Sequence, residues 1–214
     1  AAAVTTALQA TGISGLSNPA VTLDDTSLTA TVLNTLNGLT TGVINAATVT
    51  TLTGSAAVVT TAYAAKTAGE IAGLGNEAVT LDDTSLATAD LSALDLLTTG
   101  FINAASVTTL TGTAQSVTDL TFNTGISGLG DEAVTLTDTS LSTATLNNLN
   151  TRTTGTINAA TVTTLTGSVV TVTTTYSAGS DQITGIGNAA VNLVDASLAA
   201  TALNTIDGYT TGVI

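Results

Sequence analysis

The chain of 214 residues sets 15 acidic side chains against two cations, Lys66 and Arg152, for a net charge of −13; it has no His, Cys, Met or Trp and only 2% aromatic residues. Such a chain repels nucleic-acid phosphates and anionic headgroups, has no thiolate for a disulfide or a metal, and is too poor in rings for an ordinary globular core. It is also too apolar for disorder, with 43% hydrophobic residues and a mean hydropathy of +0.49, and is read as ordered. Threonine, which is β-branched and favours a pleated, half-buried surface, makes up nearly a quarter of it.

In chain order, residues 1–12 (AAAVTTAL at the start, against SAAVVTTAY from Ser55) read as the tail of a repeat. From Ile13 the chain runs ISGLSNPAVTLDDTSLTATVLNTLNGL, then TTGVINAATVTTLTG from Thr40. The second stretch returns as TTGFINAASVTTLTG from Thr98 and TTGTINAATVTTLTG from Thr153, and begins again at Thr210. Its glycines Gly42, Gly100, Gly155 and Gly212 recur with a period of roughly 57 residues, the mark of a tandem array. The whole of 1–214 is therefore expected to be a single solenoid array with repeats at 13–70, 71–125 and 126–182 and partial repeats at 1–12 and 183–214, a window on a longer repeat protein.

Within a repeat, an Asn or Asp follows a short Gly- and aliphatic-rich run at Asn18, Asn45, Asn76, Asn103, Asp131, Asn158 and Asn188. This spacing predicts a coil of about 28 to 29 residues, half the repeat. Each coil is expected to hold a short strand (GVI or IAGL), a corner at the Asn, and a second strand (TVTTL or AVTL), with the seven corner residues stacked as one ladder. After Asp25-Thr26-Ser27, the pattern Leu28, Leu33, Leu36 predicts a helix of two turns ended by Gly38, repeated up to Gly208. In the other half-repeat SAAVVTTAYAAK suits a helix, but its counterpart SVVTVTTTYSAG from Ser168 is so β-branched that it favours a strand, and that side is left open. The fold class expected is a β-rich, parallel β-solenoid with a short helix on one side of alternate coils. A thin interior explains the scarcity of rings, with Leu8, Tyr63, Phe122 and Tyr176 recurring near the variable loop.

The motifs TTGVINAATVTTLTG, GLGNEAVTLDDTSL and LNTLNG resemble the tandem repeats of giant, Thr-rich, secreted cell-surface proteins of cyanobacteria, marine unicellular forms especially, one type of which is needed for swimming without flagella. The resemblance spans essentially the whole chain. It implies an extracellular or cell-surface structural protein, a stiff rod, filament or layer with an adhesion, motility or matrix role, and carries over no catalytic residue.

Of the site residues, Asp24-Asp25, Asp82-Asp83, Asp138 and Asp195 recur at one place. Asp25, Asp83, Asp138 and Asp195 are calcium candidates, since hard oxygens suit Ca²⁺, but the glycine-rich nonapeptide of calcium-loaded rolls is absent, and Asp before a helix start reads first as a cap. No other cofactor is expected. Thr48-Val49-Thr50 and Thr161-Val162-Thr163 raise the alternative of a surface binding module for ice, polysaccharide or a neighbouring cell, although intervening coils carry Ala20, Ala78 and Ala133 in the same file. Without His or Cys there is no usual base or nucleophile, and the chain is read as no enzyme. Partners expected are further copies, end to end or side by side; nucleic acid is excluded, and no apolar run approaches the ~18 residues of a spanning helix.

Overall fold

The computed structural model describes residues 1–16, 18–179 and 181–214. The chain opens with α1 (Ala2–Gln9), β1 (Val21–Thr22), β2 (Ser27–Thr29), α2 (Ala30–Asn37), β3 (Ile44–Asn45), β4 (Thr51–Gly54), α3 (Ala56–Thr67) and β5 (Ile71–Ala72). The same order then recurs. It gives β6 (Ala78–Leu81), β7 (Ser85–Ala87), α4 (Thr88–Asp95), β8 (Ile102–Asn103), β9 (Thr109–Gly112), α5 (Ala114–Thr121) and β10 (Ile126–Ser127). A third round follows with β11 (Ala133–Leu136), β12 (Ser140–Ser142), α6 (Thr143–Asn150), β13 (Ile157–Asn158), β14 (Thr164–Gly167), α7 (Val169–Ser177) and β15 (Ile183–Thr184), and then β16 (Ala190–Leu193) and α8 (Ala200–Asp207).

The chain forms two compact units, neither of them one run of sequence: Ala1–Thr84 with Asp90–Ser106 and Thr124–Gly128, and Ser85–Ala89 with Val107–Asn123 and Leu129–Ile214. The first holds a sheet of order β1-β3-β5 and one of order β10-β8-β6-β4-β2; the second holds β15-β13-β11-β9-β7 and β12-β14-β16. Every pairing is parallel, as a solenoid-like architecture requires.

The register corrects the coil length. In the first unit Leu28 pairs Leu52, Leu52 pairs Val79, Val79 pairs Ile102 and Ile102 pairs Ile126. In the second, Leu86, Leu110, Val134, Ile157 and Ile183 follow one another in the same way. The differences between these paired numbers make a coil of about 23 to 27 residues, shorter than the expected length of about 28 to 29. From Leu28 the chain makes one coil to Leu52, a second to Val79, and then a short step to Leu86, the counterpart of Leu28 one repeat on. The repeat is two coils plus one strand step into another sheet, so each five-stranded sheet draws its strands from three successive repeats.

The fold is mixed rather than β-rich, because helices follow the strands of both half-repeats and hold more residues than the strands do. Leu28 belongs to β2; Leu33 and Leu36 are buried residues of α2, each worth about 1.5–3 kcal/mol for leaving water. The N-cap is Thr29, whose hydroxyl accepts Val32 N–H at 3.3 Å, and not the Asp-Thr-Ser before it. The segment favoured as a strand from its β-branching is α7. Ser168 caps it, Thr174 and Thr175 return their hydroxyls to the carbonyls of Val170 and Thr171, and Val172 and Thr175 are buried, so local bonding and packing override propensity.

Amide side chains tie neighbouring helices. Asn34 Nδ2 donates to the Val58 carbonyl (2.9 Å) and Asn147 Nδ2 to that of Thr171 (3.0 Å). The Thr175 hydroxyl completes the second of these, its one proton shared between Asn147 Oδ1 at 2.8 Å and the Thr171 carbonyl at 2.9 Å. In the first repeat Ala62 stands where Thr175 does, and Asn34 Oδ1 is buried with no partner. Thr175→Val, which keeps the volume but removes the hydroxyl, is expected to cost about 1–2 kcal/mol in urea unfolding. An unchanged midpoint would show that this bond contributes nothing.

Candidate functional site

The joints are the loops just before β1, β6, β11 and β16, and two of them carry the buried carboxylates among the described residues. Each is built the same way on the backbone. The first threonine of the TTG motif donates its hydroxyl to a joint carbonyl: Thr40 to Pro19 (2.7 Å), Thr98 to Glu77 (2.9 Å), Thr153 to Glu132 (2.6 Å) and Thr210 to Ala189 (2.7 Å). The same hydroxyl accepts the glycine N–H of its own motif at 2.9–3.0 Å. That glycine lies flat on the joint, and a Cβ at Gly42, Gly100, Gly155 or Gly212 would overlap the same carbonyl.

On this common frame the side chains diverge. Glu77 and Glu132 are the buried charged residues of the chain among those described, at 0% and 1% exposure. Both oxygens of Glu77 accept Gly75 N–H (2.8 and 2.9 Å), and Tyr63 donates its phenol to Glu77 Oε2 at 2.9 Å; Glu132 holds Gly130 N–H in the same bidentate way (3.0 and 2.9 Å). Burial, partly offset by a hydrogen bond with Thr98 and reinforced by the Glu77 charge, pushes the Tyr63 phenol above its ordinary pKa and keeps it a donor. The two cations also sit at these joints: Lys66 Nζ lies against Gly75, and the Arg152 guanidinium stacks 3.9 Å over the Phe122 ring. At the last joint Tyr176 stacks on Tyr209, with centroids 5.3 Å apart and planes 8° from parallel, and donates its phenol to the Ile186 carbonyl at 3.2 Å.

The recurring aspartates serve as caps delivered from the loop that follows a later strand. Asp83 Oδ2 accepts Ala56 N–H (2.7 Å), Asp138 accepts Ala114 N–H (2.8 Å), Asp195 accepts Val169 N–H (2.8 Å), and Asp25 binds the amino group of Ala1 in the same place. Each carboxylate thus sits at the positive end of a helix with one oxygen committed. Among the described residues no three carboxylates gather as a metal site would require. Asp83→Ala is expected to lower stability by about 1 kcal/mol, within the range of about 0.5–2 kcal/mol for a lost cap, with or without added calcium. A calcium-dependent rise in the melting temperature that Asp83→Ala abolishes would restore the metal reading.

The seven corner residues do not form one ladder. Asn45 stands opposite Thr22 and Ala72, Asn103 opposite Thr80 and Ser127, and Asn158 opposite Thr135 and Thr184. These three do make corners: each Oδ1 accepts the N–H two residues on, from Ala47, Ala105 and Ala160, at 3.0–3.1 Å. No described non-glycine residue has a positive φ, so side-chain bonding rather than left-handed backbone turns the chain there. Asn18, Asn76, Asp131 and Asn188 lie in the joint loops instead. Asn18 accepts the Thr41 hydroxyl beside a polar cavity of about 550 Å³, where Asn37 Nδ2 also donates to Glu70 Oε2 at 2.7 Å.

The Thr-x-Thr hydroxyls are spent on backbone. Thr48, Thr50, Thr161 and Thr163 donate to the carbonyls of Leu23, Thr26, Leu136 and Thr139 at 2.8–3.0 Å. No helix among the described residues is long and apolar enough to cross a membrane. No family model, curated protein or solved structure matches the chain. The buried glutamates were not anticipated from sequence. The available signal was that the joint residue varies as Pro19, Glu77, Glu132 and Ala189 in an otherwise periodic chain.

Proposed function

We propose that this chain is a structural element of an extracellular or cell-surface repeat protein, a parallel solenoid that serves as a stiff rod, filament or layer in adhesion, motility or matrix. The observation that carries the reading is the sharing of sheets. Because strands of three successive repeats lie in one parallel ladder, a pull along the array meets interstrand hydrogen bonds and buried Leu, Ile and Val rather than a flexible linker between beads. The net charge of −13 keeps such an array hydrated and apart from other polyanions. Thr hydroxyls committed to carbonyls favour the rod over a binding face for ice or polysaccharide, which needs those groups turned outward. The likeness of TTGVINAATVTTLTG to the repeats of giant cyanobacterial surface proteins agrees with this reading, and self-association of copies, end to end or laterally, belongs to it. An antibody raised against this chain is expected to label intact cells of the source organism. Labelling only after permeabilisation would refute the surface role.

A further inference from the structure

We propose that Tyr176 and Tyr209 form an oxidative cross-linking site, at which a one-electron oxidant of the peroxidase type joins the two rings into a biphenol. The site is singular in a periodic chain. The counterparts of Tyr176, eight positions after the helix-capping Ser or Thr, are Tyr63 and Thr121, and those of Tyr209, just before the TTG motif, are Leu39, Leu97 and Arg152. Only the last joint brings tyrosine to both positions, and there the rings stack at 5.3 Å and 8°.

Composition directs oxidation to this pair. The chain has no Cys, Met, Trp or His, so the side chains that normally absorb oxidising equivalents first are missing, and three tyrosines are what is left. Tyr63 is 1% exposed and tied to Glu77, whereas Tyr209 is 37% exposed and in direct contact with Tyr176. A radical formed on Tyr209 therefore has its partner already in place, where effective concentrations far exceed those of free encounter. Meeting a second molecule, by contrast, depends on protein concentration, which is low in the test below.

The chemistry balances. Each phenol gives up one electron and one proton to become a phenoxyl radical, and the radicals join through the carbons ortho to oxygen. The hydrogen displaced from each of those carbons returns to its phenol oxygen as the ring regains aromaticity. One hydrogen peroxide takes the two electrons and two protons and leaves as two waters. The product is a covalent tie between the C-terminal turn of α7 and the loop after α8, in a chain that has no cysteine to make one.

The test is treatment of the whole chain, at low concentration, with a haem peroxidase and hydrogen peroxide. The expected product is monomeric, lighter by two hydrogens, fluorescent as a biphenol, and yields a cross-linked peptide containing Tyr176 and Tyr209. Tyr209→Phe, which keeps the stacked ring, is expected to lower the fluorescence at least about tenfold, while Tyr63→Phe leaves it unchanged. Coupling only between molecules, no coupling at all, or coupling that survives Tyr209→Phe would overturn the proposal.

Discussion

Gly100→Ala is expected to destabilise the fold by about 3 kcal/mol or more, at the upper end of overpacking substitutions. The reason is not backbone freedom, since Gly100 does not have a positive φ. A methyl group there would overlap the Glu77 carbonyl oxygen and press on its carbon and on Ala78 N, and these are backbone atoms that no rotamer change can move. That carbonyl also accepts the Thr98 hydroxyl, and Val79 N–H next to it donates to the Phe101 carbonyl at 2.9 Å. Relieving the overlap therefore breaks the bonds that seat β8 on β6. For a chain of this size the loss corresponds to a fall of about 6–12 °C in Tm. Gly187→Ala, with no atom in contact with the added carbon, is expected to stay within about 0.5 kcal/mol. Equal effects at the two positions would mean that the joint is not closely packed.

The second large effect concerns autonomy. An isolated middle repeat, residues 71–125, is expected to be unfolded, although it is one full period. Alone, it keeps the pairings of β6 with β8 and of β7 with β9. It loses β4 from β6, β10 from β8, β11 from β9 and β3 from β5, and with them most of the cover of Val79, Ile102 and Leu110, each at most 1% exposed in the whole chain. Two-stranded parallel pieces and helices of two turns do not stand alone in water. Far-ultraviolet circular dichroism and hydrogen exchange are expected to show no protected core, whereas the whole chain shows one. Cooperative unfolding of the fragment would mean that the repeats are separate beads.

The period is legible in the sequence because the physics of the joint repeats. Gly42, Gly100, Gly155 and Gly212 are glycines since each must lie on a carbonyl, and the threonine two positions before each is fixed by its bond to that same carbonyl. Ile44, Ile102 and Ile157, followed by Asn, announce a strand and a corner, and both are present. Coil length is hidden by arithmetic. The period divides into two apparent halves, and the short step from Val79 to Leu86 leaves no mark of its own in composition. The helix α7 is obscured by Val and Thr, whose intrinsic preference gives way to the cap at Ser168 and to packing from the neighbouring rung, whereas the Ala-rich segment of α3 suits a helix on sequence alone. Glu77 and Glu132 are invisible for another reason. Glutamate is ordinarily a surface residue, and the backbone N–H two positions earlier, brought round by the joint and joined at Glu77 by the Tyr63 phenol, makes burial tolerable. Asp83 and Asp138 are helix caps in kind, as their place in the sequence suggests, but the helices they cap, α3 and α5, lie on the preceding rung rather than immediately after them.

One repeat spans two coils of about 25 residues and an extra strand step, and paired cysteines probe that register in a chain with none of its own. Thr53 and Thr80 are opposite each other on β4 and β6, at the ~4.7–4.9 Å separation of neighbouring strands, within disulfide reach. The variant Thr53→Cys/Thr80→Cys is expected to oxidise to an intrachain disulfide rapidly and in full, while Asn45→Cys/Asn76→Cys, which a single ladder of corner residues would superpose, stays reduced under the same conditions. Rapid closure of the second pair with none of the first would contradict the register and the interlocked array built on it.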